Sequence, residues 1–385
     1  MKSYILIAGD FVPNDTGNYN DTDSLYCKTL TAEINGADHF IVNLEAPVTK
    51  SSKLVHKSGP NLKLDNLSVG DLNSFGITDA KLANNHMMDF GIQGLKDTIE
   101  FCEKSAIRHC GAGLNQNSAK RALELKLEDK SVALINICEN EFGAVDGDVG
   151  GVSGYDLPSL IRQLKLAKSQ FDFVIIAFHC GVEHLAIPRP RLVNECRLLA
   201  ELGADLIVCH HTHTPSAYEV HDGCQIFYGI GNFYFPGNKH DFKWNRGLLV
   251  KVSITDEGRL DGELLYTKQS SEKYCVEILN TIEEKELTGF LEKQNECLTS
   301  VDVLNDKWMK YCSEVENEFL TLVYFPFIAW PMRILSRFSL FKRIAFPLFR
   351  VAVRKNLITC ESHYEVLQSI HANYYKKRQA SKNEK

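Results

Sequence analysis

The sequence lacks several features that would assign it to a class at once. No apolar run in its 385 residues reaches the roughly 20 consecutive residues of a membrane-spanning helix. Its 12 cysteines form no CxxC pair, which argues against thiolate zinc and dithiol redox sites. No signal-type h-region follows Met1-Lys2-Ser3, where the chain enters an apolar strand pattern at once. Reduced thiols in a cytoplasmic protein are therefore the expectation. Positive charge is not in excess. The net charge of −6 removes the electrostatic argument for a nucleic-acid partner. No internal repeat is present. What remains is ordinary globular composition, 44% hydrophobic and 24% charged, enough for one large domain and an appendage.

Against that background, short β-branched or aromatic runs stop at residues that can ligate metals. Tyr4 to Gly9 ends in Asp10, and His39 to Leu44 ends in Glu45. Ile77 to Leu82 leads to Asn84-Asn85-His86, and a helical pattern follows from Ile92 to Cys102. Phe173 to Phe178 ends in His179, and Leu206 to Cys209 ends in His210-His211-Thr212-His213. In α/β folds the carboxyl ends of strands are where ligands bind. If the last segment is extended, His211 and His213 project to the same side. With Asp10, Glu45, Asn85 and His179 they make a mixed oxygen and nitrogen donor set, suited to Zn²⁺, Mn²⁺ or Fe. A carboxylate among several imidazoles can bridge two metals. Two metals about 4 Å apart can activate a water and hold a phosphate for in-line attack. Cys180 and Cys209 sit beside these residues and read as small packing side chains rather than soft-metal ligands.

Residues 1–268 alternate strand-like and helix-like segments, with hairpin patterns after His213, which predicts an α/β sandwich with mixed sheets. Within this part, Asp65 to Phe75, Pro158 to Ser169 and Arg191 to Gly203 read as helices. Thr49 to Gly59 reads as a polar mobile rim and Gly143 to Gly154 as an exposed loop. Residues 269–385 read as a helical extension with helices over Glu283 to Cys297 and Val303 to Phe319, and a disordered tip. Within it, no acidic residue lies between Phe319 and Cys360. Phe319 to Met332 is apolar but broken by Pro326 and Pro331. Arg333, Arg337, Lys342, Arg343, Arg350, Arg354 and Lys355 then alternate with large apolar residues. Two readings of 319–360 stay open: an interfacial segment on an anionic membrane, or a helical cap packed on the sandwich.

The order of motifs resembles one known family. Gly9-Asp10, Asn43-Leu44-Glu45, Ala83-Asn84-Asn85-His86 with Asp89-Phe90-Gly91, His179-Cys180-Gly181-Val182-Glu183, His211-Thr212-His213 and Gly229-Ile230-Gly231-Asn232-Phe233 are similar to the CapA family. These are poly-γ-glutamate and capsule biosynthesis proteins of the calcineurin-like metallophosphoesterase superfamily. The resemblance covers roughly residues 3–255. It implies a four-layer α/β/β/α metallophosphoesterase-like sandwich with one or two divalent metals where the sheets' loops meet. On this resemblance Asp10, Glu45, Asn85, His179, His211 and His213 are the metal ligands, with Glu45 in the bridging place. His86 contacts substrate phosphate, Glu183 has a catalytic or supporting role, and Asn84 and Asn232 lie at the substrate. The superfamily's usual Asp-x-His opening is broken here by Val12, so one metal subsite loses a ligand.

The resemblance implies a metal-dependent hydrolase acting on a phosphorylated or polymer precursor in capsule or cell-surface polymer synthesis. A non-catalytic metal-binding accessory of the same assembly is the alternative. Either would sit in the cytoplasm, with peripheral contact to the inner face of the membrane through 319–360.

Overall fold

Ile5 and Ile7 pack on one side of the first strand, Leu6 and Ala8 on the other, and all four are buried. A strand apolar on both faces must lie between two packed layers. The structure, a computed structural model, describes residues 3–13, 19, 24–57, 59–65, 69–145, 149–237, 241–269, 273–324 and 347–383. In chain order the first elements are β1 (Ile5–Phe11), α1 (Lys28–Gly36), β2 (His39–Leu44), α2 (Val69–Ser74), β3 (Asp79–Lys81), α3 (Gly91–Lys104) and β4 (Arg108–Cys110). Next come β5 (Ala112–Gly113), α4 (Gln116–Ala119), β6 (Leu123–Leu127), β7 (Lys130–Cys138), β8 (Gly151–Val152), α5 (Leu157–Gln170), β9 (Phe173–His179), α6 (Pro190–Glu201) and β10 (Leu206–His210). The strands β11 (Tyr218–His221), β12 (Cys224–Phe227), β13 (Asn232–Tyr234), β14 (Arg246–Ile254), β15 (Leu260–Gln269) and β16 (Val276–Ile278) follow. The helices α7 (Thr281–Asn295), α8 (Val301–Tyr324), α9 (Leu348–Thr359) and α10 (Glu361–Asn383) complete the chain.

The first sheet runs β16-β15-β14-β1-β2-β3-β4, with β13 also paired to β1. The second runs β11-β12-β10-β9-β7-β6. Their facing sides share one core: Ile5, Ile7 and Ile41 from the first sheet meet Leu134, Ile175 and Val208 from the second. The outer face of the first sheet is covered by Leu30, Ile34, Leu72 and Leu95 of α1, α2 and α3. The outer face of the second is covered by Leu160 and Leu164 of α5 and by Leu192, Val193 and Leu199 of α6. This is the expected four-layer α/β/β/α sandwich with a helical C-terminal region. Helix α5 starts where Asp156 accepts a hydrogen bond from Ser159 N at 2.8 Å, with a proline in the first turn. Helix α6 stops at Gly203, whose φ of +102° suits a residue without a Cβ.

Three local expectations are corrected. Gly143 to Gly154 is not wholly an exposed loop: its end forms β8 against β5, and Val152 and Ser153 are buried. Their backbone is needed inside, since Ser153 N donates to Gly111 O at 2.7 Å and Cys138 N donates to Ser153 O at 2.9 Å. The segment from Thr49 to Gly59 is exposed at Lys50, Ser52, Lys53, Leu54 and His56, but it is tied inward at Thr49 and Lys57. Thr49 is buried against Asp97, and Lys57 turns inward. The tail is helical in α10 through Asn383, and its last two residues lie outside the described ones. In the helix expected over Asp65 to Phe75, the described part begins at Val69. Residues 325–346, with Arg333, Arg337, Lys342 and Arg343, also lie outside the described residues.

The C-terminal helices are joined to the sandwich by packing and charge. Leu287 and Leu291 of α7 enter the core between the sheets. Trp308, Cys312 and Phe319 of α8 pack with Leu357 of α9 and Val366, Leu367 and Ile370 of α10. Arg189, among the largest fully buried side chains, binds Glu139 at 3.0 Å and Glu365 of α10 at 2.9 Å, with Glu195 at 3.6 Å. Removing one partner from a buried ion network leaves uncompensated charge, at a cost of about 3–5 kcal/mol. Arg189→Met should therefore lower unfolding free energy by about that amount in denaturant titrations. A loss below about 1 kcal/mol would show that water reaches the network.

Candidate metal centre

The site forms where the carboxyl ends of both sheets meet. Asp10 stands in β1, Glu45 just after β2, and Asn84-Asn85-His86 in the turn after β3. From the second sheet come His179 at the end of β9 and His211 and His213 just after β10. Two close backbone approaches hold these ends in register. A Cβ on Gly9 would lie 1.9 Å from Gly231 O, so β1 can run hard against the 229–233 turn only with glycine there. Gly111, at φ +87°, leaves room for Asn136, whose Oδ1 accepts from Ala83 N at 2.8 Å and anchors the turn carrying Asn85 and His86.

The structure brings the six expected ligand residues together. Glu45, His179 and His211 offer donor atoms within 4.8 Å of one another, and so do Asp10, Glu45 and His213. Glu45 belongs to both groups. His179 Nε2 lies 3.4 Å from Glu45 Oε1 and 3.1 Å from Asn85 Oδ1. His213 Nδ1 lies 3.3 Å from Asp10 Oδ2, and its Nε2 lies 3.9 Å from Glu45 Oε1. Glu45 is fully buried, and neither carboxylate oxygen has a hydrogen-bond partner among the described residues. Buried carboxylates are ordinarily hydrogen-bonded, paired or bound to metal. Two oxygens without donors, facing imidazoles from two directions, fit a divalent cation on each side.

The electrostatics agree. Burial pushes the Glu45 carboxyl well above its usual range, and the charge of Asp10 adds to the rise. Burial alone would lower the His213 imidazole, but the carboxylates of Glu45 and Asp10 hold it up to about 10. The pocket thus favours positive charge at His213, beside the carboxylates of Glu45 and Asp10. A divalent cation would take that place and release the proton. Burial, then the charge of His211, pushes the His179 imidazole well down, toward the neutral form that ligates.

His211 and His213 do not converge by strand alternation, as the sequence predicts. β10 ends at His210, and His211 and His213 sit in left-handed backbone at φ +82° and +53°. Such conformations are uncommon outside glycine and cost about 1–3 kcal/mol each. Hydrogen bonds hold them. His211 N donates to Asp10 Oδ2 at 3.2 Å, and His213 Nδ1 lies 2.9 Å from Asn232 Oδ1. His210 turns inward instead, 2.8 Å from Lys81 Nζ. Val12 packs in the outer-face core, and the Asp10 group holds three carboxylate or imidazole donors among the described residues.

His86 lies beside the ligands, and its Nδ1 is 2.7 Å from Asp89 Oδ2 and 3.0 Å from Lys57 Nζ. Lys57 also pairs with Asp89. Burial lowers the His86 pKa while Asp89 opposes the fall. With Nδ1 engaged, Nε2 is the ring nitrogen left for a ligand. Glu183 is exposed at the rim. Asn84 departs from its expected place at the substrate. Its Nδ2 donates to Leu44 O at 2.8 Å, and its Oδ1 accepts from His86 N and Met87 N, so it clamps the turn. Asn232 likewise serves the backbone and His213, shaping the site from its turn. Cys180 is buried, and burial pushes its thiol up to about 12, as for a packing residue.

Sequence reasoning missed Lys57, Lys81, Trp244 and Glu141. Lys57 lay in a segment that reads as polar loop. Trp244, 4.9 Å ring to ring from His213, came with no motif. A third donor group, Glu141, Cys360 and His363, also lies within reach of one ion. There Asn356 Nδ2 already stands 3.2 Å from Glu141 Oε1 and 3.1 Å from His363 Nδ1, so a hydrogen-bond donor fills the middle.

The sequence of the family described as bacterial capsule synthesis protein PGA_cap matches residues 4–237, more than half of the chain. The chain belongs to this family. Its PGA_cap relatives include the PGA biosynthesis protein CapA of Bacillus subtilis (strain 168), 33% identical over 261 residues, 66% of this chain and 67% of that protein. The capsule biosynthesis protein CapA of Bacillus anthracis is 29% identical over 272 residues, 66% of this chain and 63% of that protein. The matches thus span about two thirds of the length of these curated relatives. A crystal structure of a novel phosphatase from Mycoplasma pneumoniae aligns with 74% of this chain and 97% of its own at 15% identity and a TM-score of 0.45.

The orphaned Glu45 carboxylate generates a direct prediction. A ligand at a hundred times its Kd stabilises the folded state by about 2.7 kcal/mol. Mn²⁺ should raise the melting temperature of the parent chain and leave that of Glu45→Gln unchanged. Equal Mn²⁺-induced shifts in the two would remove Glu45 from the centre.

Proposed function

We propose that this PGA_cap member is a metal-dependent phosphoesterase acting on a phosphorylated precursor in cell-surface polymer synthesis. The observation that supports it most is the Glu45 carboxylate, shared by two donor groups and without a hydrogen-bond donor among the described residues, in a site whose Asn85 neighbours a His86 ring held by Asp89. On this reading Glu45, Asn85, His179 and His211 hold one divalent ion, Mn²⁺, Zn²⁺ or Fe, and Asp10, Glu45 and His213 hold a second. When bound, such ions supply Lewis acidity that activates water and neutralises charge on phosphate. The chain's own groups do the rest. Asp89 fixes the ring of His86, whose Nε2 stabilises the charge that develops on phosphate or protonates the leaving oxygen. Lys57 stiffens that pair and adds positive charge near the phosphate position. Glu183 contacts substrate at the rim. Residues 1–268 carry this chemistry, and the part expected from 269 as a helical extension first gives the sheet its edge strand β16 before the helices α7 to α10.

His86→Ala should keep its metal and lose about a hundredfold or more in turnover on the best substrate of a phosphomonoester and phosphodiester panel. Metal content by plasma mass spectrometry controls for the site. Parent-like turnover in His86→Ala would take His86 out of the reaction. A second reading, a non-catalytic metal-binding accessory, is favoured by one observation: Val12 packs in the outer core, and the Asp10 group has three carboxylate or imidazole donors among the described residues. A fully metallated chain inert toward every phosphoester would establish that reading.

The setting we propose is the cytoplasmic face of the membrane, near anionic head groups. Among the described residues no helix is long and apolar enough to cross a membrane. Helix α9, however, exposes Leu348, Phe349, Val351 and Ile358 together with Arg350 and Lys355. Apolar side chains at the acyl boundary and basic ones against head groups, worth about 1 kcal/mol each, give reversible attachment. The full chain should co-sediment with anionic vesicles at low salt and not with neutral ones. Phe349→Ser with Arg350→Glu should weaken this by about tenfold or more. Binding unchanged by that pair would assign α9 to a packed cap.

A further inference from the structure

A cleft of about 310 Å³ lies between the loop after β9 and the helices α7 and α8. Its charged lining is one-sided. Lys243, Lys293, Lys307 and Lys310 come from three separate segments, and the one acidic residue that lines it is Glu314. Among the described residues none of the four ammonium groups pairs with a carboxylate. Lys307 is half-buried and donates to Lys293 O at 3.3 Å, which ties α8 to the last turn of α7 and brings their lysines together. The other three lysines are exposed. Charges of one sign gathered in a concavity focus their field and raise the local concentration of anions.

The cleft shares two segments with the rim of the metal centre. Leu185, Ala186 and Ile187 line it, and their loop is pinned to the turn that carries His211 and His213. His184 N donates to Thr212 O at 2.8 Å, and Ser216 Oγ donates to Ala186 O at 2.7 Å. Lys243 directly precedes Trp244, whose ring stands 4.9 Å from that of His213. All four lysines lie beyond residue 237, where the family match ends.

The donors also indicate which anion fits. A single phosphate is gripped best by a guanidinium fork, and no arginine lines this cleft. Ammonium groups on flexible stems are separate point charges. Spread over three segments, they match negative charges spaced along a chain. Leu185, Ile187 and Phe290 give the same cleft an apolar side for the chain between those charges.

We propose that this cleft is a binding site for an oligoanion, a short chain of carboxylates or phosphates, beside the metal centre. The site works without metal. It goes beyond the phosphoesterase reading and does not fall with it.

The test is calorimetric titration of the full chain at low salt, after a chelator has removed divalent ions, so that the metal centre contributes nothing. The probes are inorganic tripolyphosphate and a short oligoglutamate peptide. The parent should bind at least one, and the tighter of the two identifies phosphate or carboxylate as the charge the cleft takes. K293E with K310E should weaken that binding by about tenfold or more. K96E with K285E makes the same change in net charge at exposed lysines outside the cleft, and should weaken it by less than about twofold. No binding of either probe by the parent overturns the proposal. So does parent-like affinity in K293E with K310E, and so do equal losses in the two pairs. Thermal melts control for folding. If K293E with K310E loses its cooperative melt, Lys243→Gln decides: a loss of about twofold or more supports the site, and parent-like affinity overturns it.

Discussion

A carboxylate sealed from water with nothing donating to it is costly, and most of this structure can be read from how Glu45 is kept in that state. Charge in a dry site persists only when paired, hydrogen-bonded or bound to metal. Glu45 has imidazoles from the opposite sheet within ion-pair distance, and Asp10 nearby raises the demand for positive charge further. The surroundings accept strain to keep the arrangement. Two histidines adopt left-handed backbone, and Gly9 presses against the carbonyl of Gly231. These are features that propensity alone would select against, concentrated where the chemistry is.

The same demand explains why the site needs two sheets. Asp10, Glu45 and Asn85 belong to one, and His179, His211 and His213 to the other. Neither sheet alone holds a complete donor group. A slip of one residue along a strand would move a donor by about 3.3 Å, further than the difference between a ligand and a bystander. The core between the sheets, with Ile5, Ile7, Ile175 and Val208 fully buried, is what prevents such a slip. Packing there sets the register of the donor-bearing strand ends.

Much of this was legible in the sequence, for a physical reason. Strand-end residues are set by local pattern, so Asp10, Glu45, His179 and the His211-Thr212-His213 run could be placed from apolar runs and what ends them. The four layers followed from the family resemblance, and the alternation of strand-like and helix-like segments gave only an α/β sandwich with mixed sheets. Other features are decided by contacts distant in sequence. The inward turn of Lys57 depends on Asp89, and the structural use of Asn84 depends on the Leu44 carbonyl. The left-handed histidines depend on Asp10 and Asn232. No periodicity carries such information. Helix α10 was missed because a charged, Lys-rich tail resembles a solvated end. Its buried face, Val366, Leu367 and Ile370, acquires meaning only against Trp308 and Leu357.

The boundary between the part that carries the motifs and the part that makes the fold complete is therefore not a boundary in sequence. Strand β14 pairs with β1 in the middle of the first sheet, yet it begins after residue 237. Leucines of α7 fill the core between the sheets. The loop after β7 receives two grips from the last helices. One neutralises Glu139 with Arg189 and Ser362. The other, two residues on, places the Asn356 amide of α9 on the Glu141 carboxylate. The first keeps a charge buried, and the second ties α9 to the same loop. Because both act on one short loop, the C-terminal helices cannot loosen from Glu139 without also releasing Glu141. The last two helices are thus tied twice to one short backbone segment, at Glu139 and at Glu141.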